Sequence, residues 1–127
     1  MEMLQNAINW FEIPVTDFER AKKFYSTIYD FDMPEFPMGP MRMGILLYDQ
    51  QKQGIGGAIV KGDGYVPSKH GAKVYLNGGS DLNVVLQRVE KAGGKIILPK
   101  TRIDEQLGYF AIFEDTEGNR ISLHSAK

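Results

Sequence analysis

The chain has 127 residues, with 15 basic against 16 acidic side chains and a formal charge of −1, which leaves no electrostatic footprint for nucleic acid. It has no cysteine, excluding disulfides, thiolate metal sites and cysteine nucleophiles, and no apolar run approaches the roughly 18 residues of a membrane-spanning helix. A hydrophobic share of 43% is enough for the core of one domain, and the first six residues lack the basic-then-apolar pattern of a secretion signal, so a soluble cytoplasmic protein is expected.

Residues 7–15 read as a strand rich in aromatic and β-branched side chains, with Pro14 near its end. Thr16-Asp17-Phe18-Glu19 has the form of a capping box, in which Thr16 accepts from a backbone N–H and Glu19 reaches back. Phe18, Ala21, Tyr25 and Ile28 then recur at helical spacing. Two short strands and a hairpin follow, punctuated by Pro34, Pro37, Gly39 and Pro40, with strands predicted over 44–49 and 54–61. A glycine-containing linker over 62–71 separates these elements from a second strand at 72–77. Ser80-Asp81 opens a second helix carrying Leu82, Val85, Leu86, Val89 and Ala92 on one face, and Gly93-Gly94 ends it. Three more strands are predicted over 95–99, 109–114 and 120–125, the last two joined by the turn Asp115-Thr116-Glu117-Gly118-Asn119.

The order repeats. Thr16 and Ser80, Asp17 and Asp81, Gly44 and Gly108, and Gly54 and Gly118 are each 64 residues apart, while the first strands are offset by 63. The reading is an α+β protein of two tandem βαβββ modules, about 5–61 and 72–126, forming one domain with a curled mixed sheet.

Two stretches carry a family resemblance. Ile13 to Tyr25, ending in Phe24-Tyr25, resembles the first strand and helix of the vicinal-oxygen-chelate superfamily, which holds glyoxalases, bleomycin-resistance proteins and extradiol dioxygenases. Glu114 to Ile121 resembles its final hairpin, usually Asp-Pro-Asp-Gly-Asn. The resemblance implies modules whose sheets curl into a U-shaped cup, in chains that are usually homodimers. It also implies four metal-ligand positions, on the first and last strand of each module. In this sequence they fall on Trp10, Ala58, Lys73 and Ser122, and none of the four is an imidazole or carboxylate. The expectation is therefore no metal and no other cofactor.

Strand alternation places neighbours of these positions on the same face, giving a cup lined by Trp10, Glu12, Lys73, Tyr75, Ser122 and His124. Each has two readings. Trp10 either stacks on a ligand or fills the absent metal's space. Glu12 and Lys73 form a simple ion pair, or Glu12 and His124 act as a metal-free acid/base pair, with His124 otherwise a solvated strand end. Met33, Met38, Met41 and Met43 form either an adaptable lid, with Met43 against the ligand, or ordinary packing. His70 reads as a surface residue of the linker. The leading expectation is a metal-independent protein that binds a small organic molecule. The alternatives are a lyase or isomerase of the glyoxalase type, using Glu12/His124 or a metal with unusual ligands, and a dimeric module with a vestigial cup.

Overall fold

The structure, a computed structural model, describes residues 1–127. Its elements in chain order are β1 (Trp10–Pro14), α1 (Phe18–Tyr29), β2 (Glu35–Met38), β3 (Met41–Ile45), a 3-10 turn (Gln50–Lys52), β4 (Gly56–Lys61), β5 (Tyr75–Asn77), α2 (Asn83–Leu86), β6 (Lys95–Asp104), β7 (Gly108–Glu114) and β8 (Arg120–Ser125). They form two four-stranded mixed sheets ordered β1-β4-β3-β2 and β5-β8-β7-β6, so the βαβββ unit is present twice with one topology. In each, the first strand runs parallel to the last and the other ladders are antiparallel. No ladder joins the sheets, leaving β1 and β5 each with a free edge. No helix is long and apolar enough to cross a membrane.

Register confirms part of the repeat and corrects the rest. Glu12 sits beside Ala58 as Tyr75 sits beside Ser122, which preserves the offsets of 63 and 64. The middle strands do not keep that spacing. Ile45 pairs with Ala58 and Ile112 with Ser122, placing these equivalent positions 67 residues apart. Gly44 therefore lies within β3 while Gly108 opens β7, and the two are not equivalent. The cause is the β7–β8 hairpin, in which the paired Ile112 and Ser122 are 10 residues apart, against 13 for Ile45 and Ala58 across the 3-10 turn and loop joining β3 to β4.

Several predicted elements are also shorter or shifted. The strands expected over 7–15 and 72–77 reduce to β1 and β5, whose paired registers begin at Trp10 with Gly56 and Tyr75 with Ser122. The strand expected over 44–49 is β3 at 41–45, and the one expected over 95–99 continues to Asp104 with register shifts. Pro37 and Pro99 lie in β2 and β6, the outer strands, where a missing N–H leaves no ladder bond unmade.

Helix α1 buries Phe18, Ala21, Phe24, Tyr25 and Ile28. It packs on β4, and its Phe24 ring also lies 5.8 Å from that of Phe113 on β7. One cluster of 19 buried residues thus spans both modules. Burying Phe24 and Phe113 is worth about 2–3 kcal/mol each, so the modules are held by a shared core rather than by the linker.

The expected capping box is replaced by a longer-range arrangement. Asp17, not Thr16, is the N-cap, accepting from the Arg20 N–H at 3.0 Å, and Glu19 reaches Arg42 instead of Thr16. The Thr16 N–H and hydroxyl both donate to Glu117, in the β7–β8 hairpin of the other module. The second helix is also reduced. Leu82, Val85, Leu86 and Val89 are buried as predicted, but only Asn83–Leu86 is α-helical. Beyond it the backbone tightens into turns with Val89 N–H donating to Leu86 and Gly93 N–H to Glu90. Asn83, Val84, Val85 and Val89 are weak helix formers, so packing of the apolar stripe sets the path.

Candidate functional site

Alternation along the strands gives each sheet two different faces. In the first sheet Ile13, Val15 and Ile59 enter the shared core, while Met43, Ala58 and Val60 form a separate cluster on the opposite face, with Met41, Ile45 and Tyr65 against it. Trp10 and Glu12 share that second face, since the Trp10 Nε1–H donates to Glu12 Oε2 at 3.3 Å. In the second sheet Ala111, Phe113, Ile121 and Leu123 point to the core. The intervening residues Tyr75, Phe110, Ser122 and His124 lie on the open face, with the Tyr75 and Phe110 rings 6.5 Å apart.

Chemistry at the four positions where related proteins would hold a metal is unfavourable. Trp10, Ala58, Lys73 and Ser122 supply no imidazole and no carboxylate, and no three His, Asp or Glu side chains converge anywhere in the fold. Glu12, the acid beside Ala58, has both oxygens engaged. Oε2 accepts from Trp10, and Oε1 accepts from the Tyr65 hydroxyl at 2.6 Å. These residues do not fit a divalent metal of the glyoxalase kind.

The predicted site residues fall in three places. Trp10, 38% exposed, lines a cavity of about 540 Å³ with Phe36, Ile45 and Tyr48, and Met43 is buried beside it, paired with Phe36 across β2 and β3. Lys73 and Tyr75 line another cavity, about 320 Å³, with residues of both modules, among them Phe11, Leu46, Gly57 and Leu76. Ser122 is buried, its N–H donating to Val74, and His124 is exposed with Nε2 donating to the Leu107 carbonyl. Glu12 and Lys73 form no ion pair, and Glu12 and His124 form no hydrogen bond. Of the proposed methionine lid, Met33 lies in the main core and Met43 in the smaller cluster, while Met38 is exposed. His70 is exposed in the linker.

The partners of two groups were not foreseen from sequence. Tyr65 lies in a segment that reads as a connector, so nothing signals that its hydroxyl reaches Glu12. That hydrogen bond, aided by burial, raises the phenol above its usual range and keeps it a donor at neutral pH. The β7–β8 hairpin is the other. Its Asp115 accepts from the buried Tyr25 hydroxyl at 2.7 Å and from Asn119, whose Nδ2 also donates to the Pro14 carbonyl at 2.8 Å. Burial raises the Asp115 carboxyl despite these donors, and burial pushes the Tyr25 phenol well up. The family-like hairpin is thus a clamp that fixes β8 against β1, and the sequence signal was the motif itself.

Two βαβββ modules on one core, each presenting an open sheet face, define a paired-module α+β protein. The chain belongs to the Glyoxalase/Bleomycin resistance protein/Dioxygenase superfamily, whose profile matches residues 7–123. It is 34% identical over 122 residues to a glyoxylase-like domain-containing protein of Didymella fabae, covering 92% of this chain and 91% of that one. Its fold is similar to a glyoxalase/bleomycin resistance protein from Streptomyces sp. CB03234, with 26% identity, TM-score 0.65 and coverage of 91% and 97% of the two chains. TnmS3, an antibiotic binding protein from the same organism, matches with 23% identity, TM-score 0.64 and coverage of 99% and 100%.

Proposed function

We propose that this protein binds a small organic molecule on the open face of its first module, without a resident metal. The observation that supports this reading best is Trp10. It occupies a metal-ligand position of the family, its Nε1–H is tethered to Glu12, and its indole borders a cavity with Phe36 and Tyr48. Such a wall attracts flat apolar surface. TnmS3, of the same fold, is an antibiotic binding protein, which is in keeping with a binding role.

The lyase or isomerase reading needs Glu12 and His124 to share a proton path. It has less support, because Leu107 occupies Nε2 of His124 while Trp10 and Tyr65 occupy Glu12. A second copy of the chain is part of this proposal, since it would cover the free edges of β1 and β5. Sedimentation analysis tests that part, a monomer at micromolar concentration counting against it.

The binding proposal is tested by thermal-shift and calorimetric titration of the wild-type protein with bleomycin and a panel of planar aromatic antibiotics. A saturable rise in melting temperature with about one site per chain is expected. In parallel, the hemithioacetal of methylglyoxal and glutathione is supplied with zinc or nickel. Metal-dependent turnover with stoichiometric metal would overturn the binder reading.

A further inference from the structure

The segment joining the modules does not simply pass between them. Leaving β4, the chain turns at Gly62–Tyr65, closed by the Tyr65 N–H donating to the Gly62 carbonyl at 3.1 Å, with Gly64 at φ +86°. This turn brings Tyr65 back over the sheet it has just left. Its ring packs on Met43, Ala58 and Val60, and its hydroxyl donates to Glu12 Oε1. The next anchor along the chain is the Ser68 N–H on Asn119 Oδ1 at 3.0 Å, so between Gly62 and Ser68 only Tyr65 ties the segment to the open face. No residue from Gly62 to Val74 belongs to a strand or helix.

Tyr65 thus places an aromatic ring on an apolar floor beside the exposed Trp10, with one hydroxyl on a carboxylate. An incoming molecule that displaced Tyr65 would meet the same floor. It would also have to supply a donor to Glu12 Oε1, because a partly buried carboxylate oxygen stripped of its partner disfavours any ligand without one.

We propose that Tyr65 is an internal stand-in for the ligand, and that the site takes an uncharged hydroxylated aromatic whose hydroxyl replaces that of Tyr65 on Glu12. This deepens the organic-ligand reading above and rests on it. The linker is then a strap that competes with the ligand for the face, and its removal exposes a preformed site.

The test is calorimetric titration of 2-naphthol, and of 2-methoxynaphthalene as its donor-free counterpart, into wild-type protein, Tyr65→Ala and Tyr65→Ala/Glu12→Ala. In Tyr65→Ala, 2-naphthol should bind about tenfold more tightly than in wild type, as removal of an internal competitor requires. In the same variant it should be preferred over the methyl ether by about tenfold, and the double variant should lose that preference. Equal binding of 2-naphthol to wild type and Tyr65→Ala overturns the proposal. Equal binding of the two probes to Tyr65→Ala also overturns it, while leaving an apolar organic-ligand site intact. Binding of neither probe to Tyr65→Ala overturns it as well, and the broader reading is judged separately by the antibiotic panel on wild type. Should Tyr65→Ala fail to fold, Tyr65→Phe keeps the ring and removes the donor, and 2-naphthol should gain about threefold over wild type. No gain there overturns the proposal.

Discussion

Substituting Glu117→Gln tests how the two modules are clamped. Glu117 Oε1 accepts from the Thr16 N–H (2.9 Å), the Thr16 hydroxyl (3.0 Å) and the Asp17 N–H (2.7 Å), while Oε2 accepts from Arg20 Nε at 2.7 Å. Burial opposes the charged form, but Arg20 and the backbone donors outweigh it and hold the carboxyl at about 2. Against about 4.3 in an unfolded chain, the linkage relation gives about 3 kcal/mol. The Glu117 side chain is fully covered, but that of Arg20 is 52% exposed, so solvent screening reduces the figure to about 1–2 kcal/mol. Because the folded value is depressed, this stability is present in full above the unfolded value and is lost as pH falls towards 2. Glutamine keeps an oxygen for Thr16 and Asp17 but loses the charge. Denaturant and thermal melts followed by circular dichroism should show a loss of about 1–2 kcal/mol at pH 7, or about 4–8 °C. At pH 3 the difference should shrink to less than about half. Asp115 works in the opposite sense: its raised carboxyl makes ionisation unfavourable to folding as pH climbs through its range. Both proteins carry it, so it cancels in the comparison. A wild-type-minus-variant difference that is negligible at pH 7, or constant from pH 7 to pH 3, would refute the reasoning.

Three further outcomes are expected. Tyr25→Phe removes the buried donor to Asp115 and should cost about 1–3 kcal/mol in a urea melt, a cost near zero showing that Asn119 and the Glu117 N–H satisfy that carboxylate without it. Gly108→Ala puts a side chain at φ +81° against the carbonyl oxygen of Ser125, a backbone atom that cannot swing aside, and should lose about 3 kcal/mol or more by thermal melt. Trp10→Ala should weaken the tightest binder of the antibiotic panel about tenfold by calorimetry, and unchanged affinity would remove the indole from the site.

The doubled βαβββ unit was legible because its signals are local. Strand alternation put Ile13, Val15 and Ile121 into the core, and the helical stripe from Phe18 to Ile28 was buried as its spacing requires. The same alternation put Trp10 and Glu12 on one face, and the offsets of 63 and 64 hold in the register, with Glu12 beside Ala58 and Tyr75 beside Ser122. Element ends were less legible, since a strand continues only where a neighbour offers a ladder. A partner's position is a property of the fold, not of the segment. The second helix shortened for a related reason: its apolar spacing was helical, but its valines and asparagine favour helix weakly.

What the sequence determined by itself was therefore the architecture and the core faces. These depend on residue type and on periods of two and about four, both of which can be read along a chain. Tertiary structure decided which polar groups meet. Glu12 went to Tyr65 and Trp10 rather than to Lys73 or His124, and Thr16 went to Glu117 across 101 residues rather than to Glu19. A hydrogen bond needs its atoms within about 3 Å, and for residues so far apart in sequence that closeness arises only from tertiary packing: α1 against both sheets for Thr16 and Glu117, and the linker turn over the first sheet for Tyr65 and Glu12.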